Sequence, residues 1–305
     1  MKIIFMGTPE FAVPIFKSIY NSKHKIISVY TQPPKKKLRG QKIMESPVQT
    51  IAKKLNIEVR TPYDLNNNPK ELNFIKNTSP EIVVVAAYGQ ILPQSILENT
   101  KTKFINVHAS LLPKLRGAAP IQRSILDMHY ETGISIMKII HKLDAGPFML
   151  QEKIKIEKED DFSTLSIKLS NLGSKMIIDS INLLESGKAV FKEQNEKDAT
   201  YAKKIKKSDA EIKWDLDAEK ILAKIKALNP HPGAHFYHNG NRIKILKAVV
   251  SDLQGEVGKV LDDELTIGCL KNSLKIKFIQ KEGKKILNTK EFLSGYRIKK
   301  SEILN

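Results

Sequence analysis

Short apolar runs rich in β-branched residues alternate with amphipathic stretches along the first two thirds of this 305-residue chain. Such runs are typical of strands buried on both faces, and the stretches between them have the 3.6-residue periodicity of helices. The alternation predicts an α/β fold with a Rossmann-like, doubly wound parallel sheet. The strands expected from this pattern are 3–6, 25–30, 58–60, 82–86 and 104–108, with edge strands at 134–140 and 151–156.

The last third of the chain has a different pattern. A polar, charged stretch at 189–208 indicates a linker, and short strands separated by Gly or Asn turns follow it. Five short strands at this spacing predict a small β-barrel. They are expected at 235–238, 242–250, 256–261, 265–269 and 274–279. We therefore expect a catalytic domain at 1–188, the linker at 189–208 and a barrel domain at 209–305.

Asn106 and His108 lie two residues apart on the apolar run 104–108 and therefore point to one face of the expected strand. The strand leads through a Pro- and Gly-containing loop into a helix start, which places both residues at the sheet edge where α/β proteins bind ligands. Asp144 follows a later apolar segment and is expected in the same cleft. An amide, an imidazole and a carboxylate suit acyl-type transfer. A single histidine on a core strand is, however, more often a structural residue.

The sequence at 106–120, Asn-Val-His-Ala-Ser-Leu-Leu-Pro-Lys-Leu-Arg-Gly-Ala-Ala-Pro, together with Leu-Asp-Ala-Gly at 143–146, resembles the signature of the 10-formyltetrahydrofolate-dependent formyltransferases. The resemblance implies direct formyl transfer from 10-formyltetrahydrofolate to an amine, with no covalent enzyme intermediate. Asn106 and His108 would donate hydrogen bonds to the developing oxyanion. Asp144 would orient or tune the imidazole and help to remove the amine proton.

The same resemblance implies a set of residues that contact the folate, on two segments of the chain. Leu111 and Leu112 are also compatible with a hydrophobic core, because apolar ligand walls and cores look alike in sequence. The implied folate contacts are Ser110, Leu111, Leu112, Pro113, Tyr88, Gly89, Gln90, Ile91 and Leu92.

Segments outside the signature, at 2–12, 30–48, 83–93 and 229–234, resemble the family members that formylate methionine on initiator tRNA. The resemblance therefore implies initiator methionyl-tRNA as the acceptor, a role in translation initiation, and an OB-like, tRNA-binding fold for the barrel domain at 209–305. Family members that formylate glycinamide ribonucleotide or a sugar nucleotide would share Asn106, His108 and Asp144. An RNA-binding protein with an inactive catalytic domain is a further alternative.

The charge balance favours a polyanionic partner. Lys and Arg number 51 against 33 Asp and Glu, a net charge of +18, although nucleotide bias in a genome also enriches lysine. The loop at 31–47 follows the second strand at the same sheet edge as Asn106, and we expect its basic residues to contact tRNA. A solvated loop without a partner is the alternative. The expected tRNA contacts are Lys35, Lys36, Lys37, Arg39 and Lys42.

Other functions are disfavoured by particular residues. A single cysteine, Cys269, excludes an intramolecular disulfide and a cysteine-based zinc site, and no metal is expected. Gly7, followed by Pro9, does not provide the three glycines of a dinucleotide-binding turn, so no nicotinamide cofactor is expected. No apolar run approaches the ~20 residues of a membrane span. We expect a cytoplasmic monomer without a membrane segment.

Overall fold

The computed structural model describes residues 1–37, 42–66, 68–98, 100 and 102–304. The chain forms two compact units, each discontinuous in sequence. Unit 1 consists of Met1–Pro120, Glu131–Lys155 and Ser166–Ala202, and unit 2 of Ile121–Tyr130, Ile156–Leu165 and Lys203–Asn305. The functional division at 188 and 208 stays a prediction.

Unit 1 is built on a mixed β-sheet. Its strands, together with a separate two-stranded ribbon formed by β3 and β4, are β1 (Lys2–Gly7), β2 (Lys25–Tyr30), β3 (Lys35–Lys37), β4 (Lys42–Met44), β5 (Val59–Arg60), β6 (Ile82–Ala86), β7 (Lys103–His108), β8 (Glu131–Lys138) and β9 (Phe148–Lys155). The helices along this part of the chain are α1 (Ala12–Tyr20), α2 (Pro47–Lys54), α3 (Pro69–Thr78), α4 (Gln94–Glu98), α5 (Pro120–Leu126) and α6 (Phe162–Glu185).

Across the described residues the strand order of the main sheet is β5-β2-β1-β6-β7-β8-β9. The first five strands are parallel, whereas β8 is antiparallel to β7 and β9 to β8. The chain reverses its direction of travel across the sheet between β1 and β6, which is the topological switch of a Rossmann-like fold. The Rossmann-like α/β prediction is confirmed, and the antiparallel direction of the two edge strands is an addition to it.

Local sequence explains why these elements form. All five residues of β6, Ile-Val-Val-Val-Ala, are buried, as expected for a central parallel strand. The side chain of Ser46 caps α2 by accepting a hydrogen bond from the Gln49 N–H at 3.0 Å, and Pro47 occupies the first turn. Phe16 of α1 packs on Phe5 of β1 with ring centroids 5.3 Å apart. The apolar face of α1 is therefore held against the sheet.

Unit 2 contains a small antiparallel β domain, as the OB-like expectation required. Its elements are α7 (Ala218–Leu228), β10 (His235–His238), β11 (Asn241–Ser251), β12 (Thr266–Gly268), β13 (Ser273–Lys281), β14 (Leu287–Asn288) and α8 (Thr289–Gly295). The strand order is β10-β11-β13-β12, and β14 pairs with β13. Trp214 and Phe236 meet edge to face in the core, with centroids 5.7 Å apart.

The prediction of a strand at 256–261 is wrong. Only isolated bridges occur there, from Lys259 to Ile303 and from Val260 to Ile267. Gly258 has φ +76°, and its Cα lies so close to the Leu304 carbonyl that a Cβ would be 2.4 Å from that oxygen. A positive φ interrupts extended backbone, so this segment cannot continue as a regular strand.

Candidate active site

Asn106 and His108 lie at the carboxyl end of β7, on one face of the strand. In the register with β8, Asn106 is opposite Met137 and His108 opposite Ser135. Asn106 is partly exposed, and its side-chain amide has no hydrogen-bond partner among the described residues. His108 is only 5% exposed. Within the described part of the chain, the strand thus presents an amide without a hydrogen-bond partner beside a buried imidazole.

The two ring nitrogens of His108 have different partners. Nε2 lies 3.0 Å from the carbonyl oxygen of Leu115, and Nδ1 lies 3.8 Å from Oδ2 of Asp144. Because a carbonyl oxygen only accepts, Nε2 carries a proton and donates to it. Nδ1 is then a lone pair in the neutral ring and an N–H in the charged ring.

Asp144 lies in a turn with unusual backbone geometry. Its φ is +45°, a left-handed conformation that is uncommon for residues other than glycine. Its Oδ2 accepts a hydrogen bond from the Gly117 N–H at 2.8 Å. Gly117 has φ +115°, and a Cβ at this position would lie 3.0 Å from the Ala202 carbonyl oxygen. Glycine is therefore required where the backbone approaches the carboxylate.

A hydrogen-bond network of Gln194, Arg116 and Glu196 holds the Asp144 turn. Nε2 of Gln194 donates to the carbonyl oxygens of Asp144 at 2.9 Å and Gly146 at 2.6 Å. Oε1 of Gln194 accepts from Nε and Nη2 of Arg116, at 3.0 and 2.8 Å. Arg116 is fully buried and also forms a two-point ion pair with Glu196. Hydrogen bonds from Arg116 and Lys142 lower the pKa of Glu196 to about 2.

Sequence reasoning missed Arg116 and Gln194. Gln194 lies inside the polar stretch 189–208 that was interpreted as a linker, whereas the structure places residues up to Ala202 in unit 1. Arg116 belongs to the signature at 106–120, but a lone arginine in a loop is usually exposed. One signal was available, since Gly117 directly after Arg116 indicated a constrained backbone.

The first implied folate segment, the loop after β7, is held by Ser135 of β8. Oγ of Ser135 donates to the Ser110 carbonyl at 2.6 Å and accepts from the Leu112 N–H at 3.0 Å. Gln151 donates to the Leu112 carbonyl at 2.7 Å and to Ser135 Oγ at 2.8 Å. Ser110 and Leu112 are buried, whereas Leu111 and Pro113 are half-buried. The loop therefore has a defined shape beside His108.

The second implied folate segment follows β6, the neighbour of β7 in the sheet. Tyr88 and Leu92 are buried in the core of unit 1, whereas Ile91 is 79% exposed. The Gly89 carbonyl accepts from Gln32 at 2.7 Å, and Gln90 donates to the Pro62 carbonyl at 2.8 Å. Since β6 and β7 are parallel, both folate segments emerge at the same sheet edge as His108.

The basic segment after β2 is partly described. β3 and β4 form an antiparallel ribbon in which Lys35 is opposite Met44, and Lys37 is opposite Lys42. The Lys35 ammonium donates to Oε1 of Gln32 at 2.5 Å. Arg39 lies outside the described residues, as do the side chains of Lys36, Lys37 and Lys42.

Candidate metal sites and membrane-spanning helices are both absent from the part of the chain that the structure describes. No group of three or more His, Cys, Asp or Glu side chains is arranged to hold a metal ion there. No helix in that part is long and apolar enough to cross a bilayer. Cys269 is buried, and burial raises the pKa of its thiol to about 12, so this thiol is unsuited to nucleophilic chemistry.

Asn106 and His108 lie at the carboxyl end of a central strand of a Rossmann-like sheet, with the Asp144 carboxylate 3.8 Å from His108, and such an arrangement is compatible with an enzyme of the group-transfer class. Residues 1–181 match the formyl transferase family, and residues 204–297 match the formyl transferase C-terminal domain. The chain belongs to the formyl transferase family.

Curated relatives support this membership along the full chain. The methionyl-tRNA formyltransferase of Pelagibacter ubique is 51% identical over 100% of this chain and 99% of its own length. That of Caldanaerobacter subterraneus is 42% identical over 100% of both chains. An N-formyltransferase from Helicobacter canadensis, solved with folinic acid and dTDP-3-aminofucose, shares the fold with a TM-score of 0.69 at 19% identity, covering 92% of this chain and 99% of that one. The resemblance inferred from the signature is confirmed.

Proposed function

We propose that this chain transfers the formyl group of 10-formyltetrahydrofolate to the amino group of methionine on initiator methionyl-tRNA, for translation initiation. The observation that carries this proposal is the full-length similarity to relatives named methionyl-tRNA formyltransferase, at 51% and 42% identity. These relatives align with this chain over both unit 1 and unit 2. Similarity across both units favours a tRNA acceptor over a small amine.

Asn106 and His108 are the proposed oxyanion donors. The Asn106 amide is unpaired among the described residues and partly exposed, so it is available to a substrate oxygen. His108 donates from Nδ1 when its ring is charged, because Nε2 is committed to the Leu115 carbonyl. Removing one such donor in an enzyme typically costs a hundredfold or more in rate.

Asp144 is the proposed partner of the charged imidazole and the acceptor of the amine proton. One carboxylate oxygen, Oδ2, is held by the Gly117 N–H and lies 3.8 Å from His108 Nδ1. The other, Oδ1, has no donor within the described residues and can accept a proton directly or through water. As the amine nitrogen bonds to the formyl carbon, it loses this proton, the bond from carbon to N10 of the folate breaks, and N10 gains a proton.

The remaining residues have proposed binding roles. Ser110, Leu111, Leu112 and Pro113, with the segment Tyr88 to Leu92, form the proposed folate site. The proposed tRNA contacts are Lys35, Lys36, Lys37, Arg39 and Lys42. Support comes from position, because the loops after β2, β6 and β7 emerge at one edge of the sheet. We also propose that the enzyme works as a monomer in the cytoplasm, where its tRNA substrate is found.

A direct assay tests the proposal. The protein is incubated with 10-formyltetrahydrofolate and methionyl-tRNA of initiator and elongator types, and formyl-methionine is measured. We expect formylation of the initiator species. Glycinamide ribonucleotide and an amino-sugar nucleotide are assayed in parallel, and formylation of either one in place of methionyl-tRNA would overturn the proposal. Binding of tRNA without turnover would support the inactive RNA-binding alternative.

A further inference from the structure

We propose that Arg116 and Gln194 act together as positioning residues that hold the Asp144 turn in its working place beside His108. The inference rests on the proposed function, because it assumes that Asp144 and His108 perform the transfer. The side chains of Arg116 and Gln194 contact each other, Glu196 and the backbone of the Asp144 turn, and not the groups proposed to take part in the reaction. Gln194 acts through the Asp144 turn, and the side chain of Arg116 acts through Gln194.

The Gln194 amide has its full set of hydrogen bonds. Its two N–H groups donate to the carbonyl oxygens of Asp144 and Gly146, and its oxygen accepts twice from Arg116. Carbonyls only accept and guanidinium only donates, so the chemistry of the partners assigns the amide orientation. Gln194 as a whole is 9% exposed. It fixes both ends of the turn in which Asp144 has its left-handed conformation.

Arg116 fixes the Gln194 amide in turn. A fully buried guanidinium is costly unless its charge is paired and its donors are satisfied. Here Glu196 supplies the opposite charge through contacts of 2.8 and 3.2 Å, and Gln194 accepts two further N–H groups, one from Nε and one from Nη2. The planar fork of arginine allows both two-point contacts from one side chain. Lysine at this position could not make them.

Three consecutive residues join this support to the proposed catalytic pair. The Leu115 carbonyl accepts from His108, Arg116 reaches the Asp144 turn through Gln194, and the Gly117 N–H donates to the Asp144 carboxylate. A shift of this tripeptide would therefore move the imidazole and the carboxylate at the same time.

The tripeptide 115–117 is itself anchored on residues 200–202. The Leu115 N–H donates to Thr200 Oγ1 at 2.9 Å, and the Arg116 N–H to the Thr200 carbonyl at 2.9 Å. The Ala202 N–H donates to the Arg116 carbonyl at 2.7 Å. Residues 194–202, which belong to unit 1, therefore support the backbone of the site through hydrogen bonds.

The first experiment compares Gln194→Leu with Asn195→Leu. Asn195 is the adjacent amide, exposed and bonded only to Asp198 and the Lys197 N–H among the described residues, so it is the matched control. We expect Gln194→Leu to lower kcat by roughly tenfold to a hundredfold, as for displaced catalytic groups, with KM for both substrates nearly unchanged. Asn195→Leu should match the wild type. Wild-type kcat for Gln194→Leu would overturn the inference.

Two further variants separate positioning from general stability. Gln194→Glu keeps the contact with Arg116 but replaces the two N–H donors of Nε2 by one carboxylate oxygen that faces two carbonyls, so it should lose activity even if it melts at the wild-type temperature. In an Asp144→Asn background, Gln194→Leu should cost less than about twofold, because residues acting through one another are not additive. A full, multiplicative loss in that background would overturn the inference.

A spectroscopic measurement separates failure of this inference from failure of the proposed function. The ¹⁵N shifts of the His108 ring report which nitrogen carries the proton, with no substrate present. We expect the proton on Nε2 in both proteins, because the Leu115 carbonyl holds it, and a changed Nδ1 shift in Gln194→Leu, because the Asp144 carboxylate that faces Nδ1 is displaced. If the wild type does not formylate methionyl-tRNA, the proposed function fails. The positioning role is rejected by a different result, namely His108 ring shifts that are the same in Gln194→Leu and in the wild type.

Discussion

His108 presents Nδ1 to the carboxylate of Asp144 at a distance of 3.8 Å. This separation is outside hydrogen-bond range, so the attraction is electrostatic and grows when the ring is charged. The opposite ring nitrogen donates to a backbone carbonyl, which leaves Nδ1 as the nitrogen that changes its role on protonation. The geometry thus leaves Nδ1 of His108 facing the carboxylate, while Nε2 is held by the backbone.

Alanine at Asn106, His108 or Asp144 should each reduce kcat by about a hundredfold or more, because each change removes an oxyanion donor or the carboxylate beside the imidazole. Single-turnover formylation of methionyl-tRNA measures the loss. His141→Ala is the control, since His141 is exposed and lies in the same loop as Asp144. Activity close to wild type in any one of the three variants would remove that residue from the mechanism.

Gly117→Ala should lower both activity and the free energy of unfolding. The φ of +115° and the 3.0 Å approach to the Ala202 carbonyl cost roughly 1–3 kcal/mol and displace the N–H that holds Asp144. Gly187→Ala is matched for positive φ, at +69°, but its Cβ meets nothing within 4 Å. It should destabilise by about 1 kcal/mol with unchanged kcat. Equal kcat values for the two variants would contradict the prediction.

In the Glu196→Gln variant, the free energy of unfolding should fall less steeply than in the wild type as the pH is lowered from 4.5 toward 2. The pKa of Glu196 is lowered from 4.5 to about 2 by hydrogen bonds from Arg116 and Lys142. A lowered carboxyl pKa stabilises the fold above pH 4.5, and this contribution is lost as pH falls toward 2. Urea unfolding at several pH values in that window measures it, with the exposed Glu193→Gln as control. An unchanged slope for Glu196→Gln would refute the assignment.

Replacing Lys35, Lys36 and Lys37 together by alanine should weaken tRNA binding and reduce its salt dependence. Each lost phosphate contact lowers the logarithmic salt slope by up to about one. Arg39→Ala should reduce turnover on methionyl-tRNA more than any single lysine change, because a guanidinium forks onto a phosphate or base edge. Lys175→Ala, an exposed change on α6, is the control. Full activity of the loop variants at physiological salt would favour a small acceptor such as glycinamide ribonucleotide.

The sequence by itself determined the elements whose signals are local. β-branched runs predicted the strands of unit 1, two-residue spacing placed Asn106 and His108 on one face, and the signature connected them with Asp144. These inferences hold because burial on a strand imposes a periodicity on neighbouring residues. The direction of β8 and β9 was not determined, since parallel and antiparallel strands of this length look alike in sequence.

Only the tertiary structure decided how Asp144 is held. Gln194 is 50 residues from Asp144 along the chain, and its polar neighbours resemble a linker. In its buried position Gln194 forms hydrogen bonds with backbone carbonyls and with Arg116, and such contacts produce no periodic pattern in the amino-acid sequence. The positive φ of Gly258 likewise ended an expected strand through its close approach to Leu304. Long-range polar contacts depend on the three-dimensional positions of their partners, and local patterns carry no record of them.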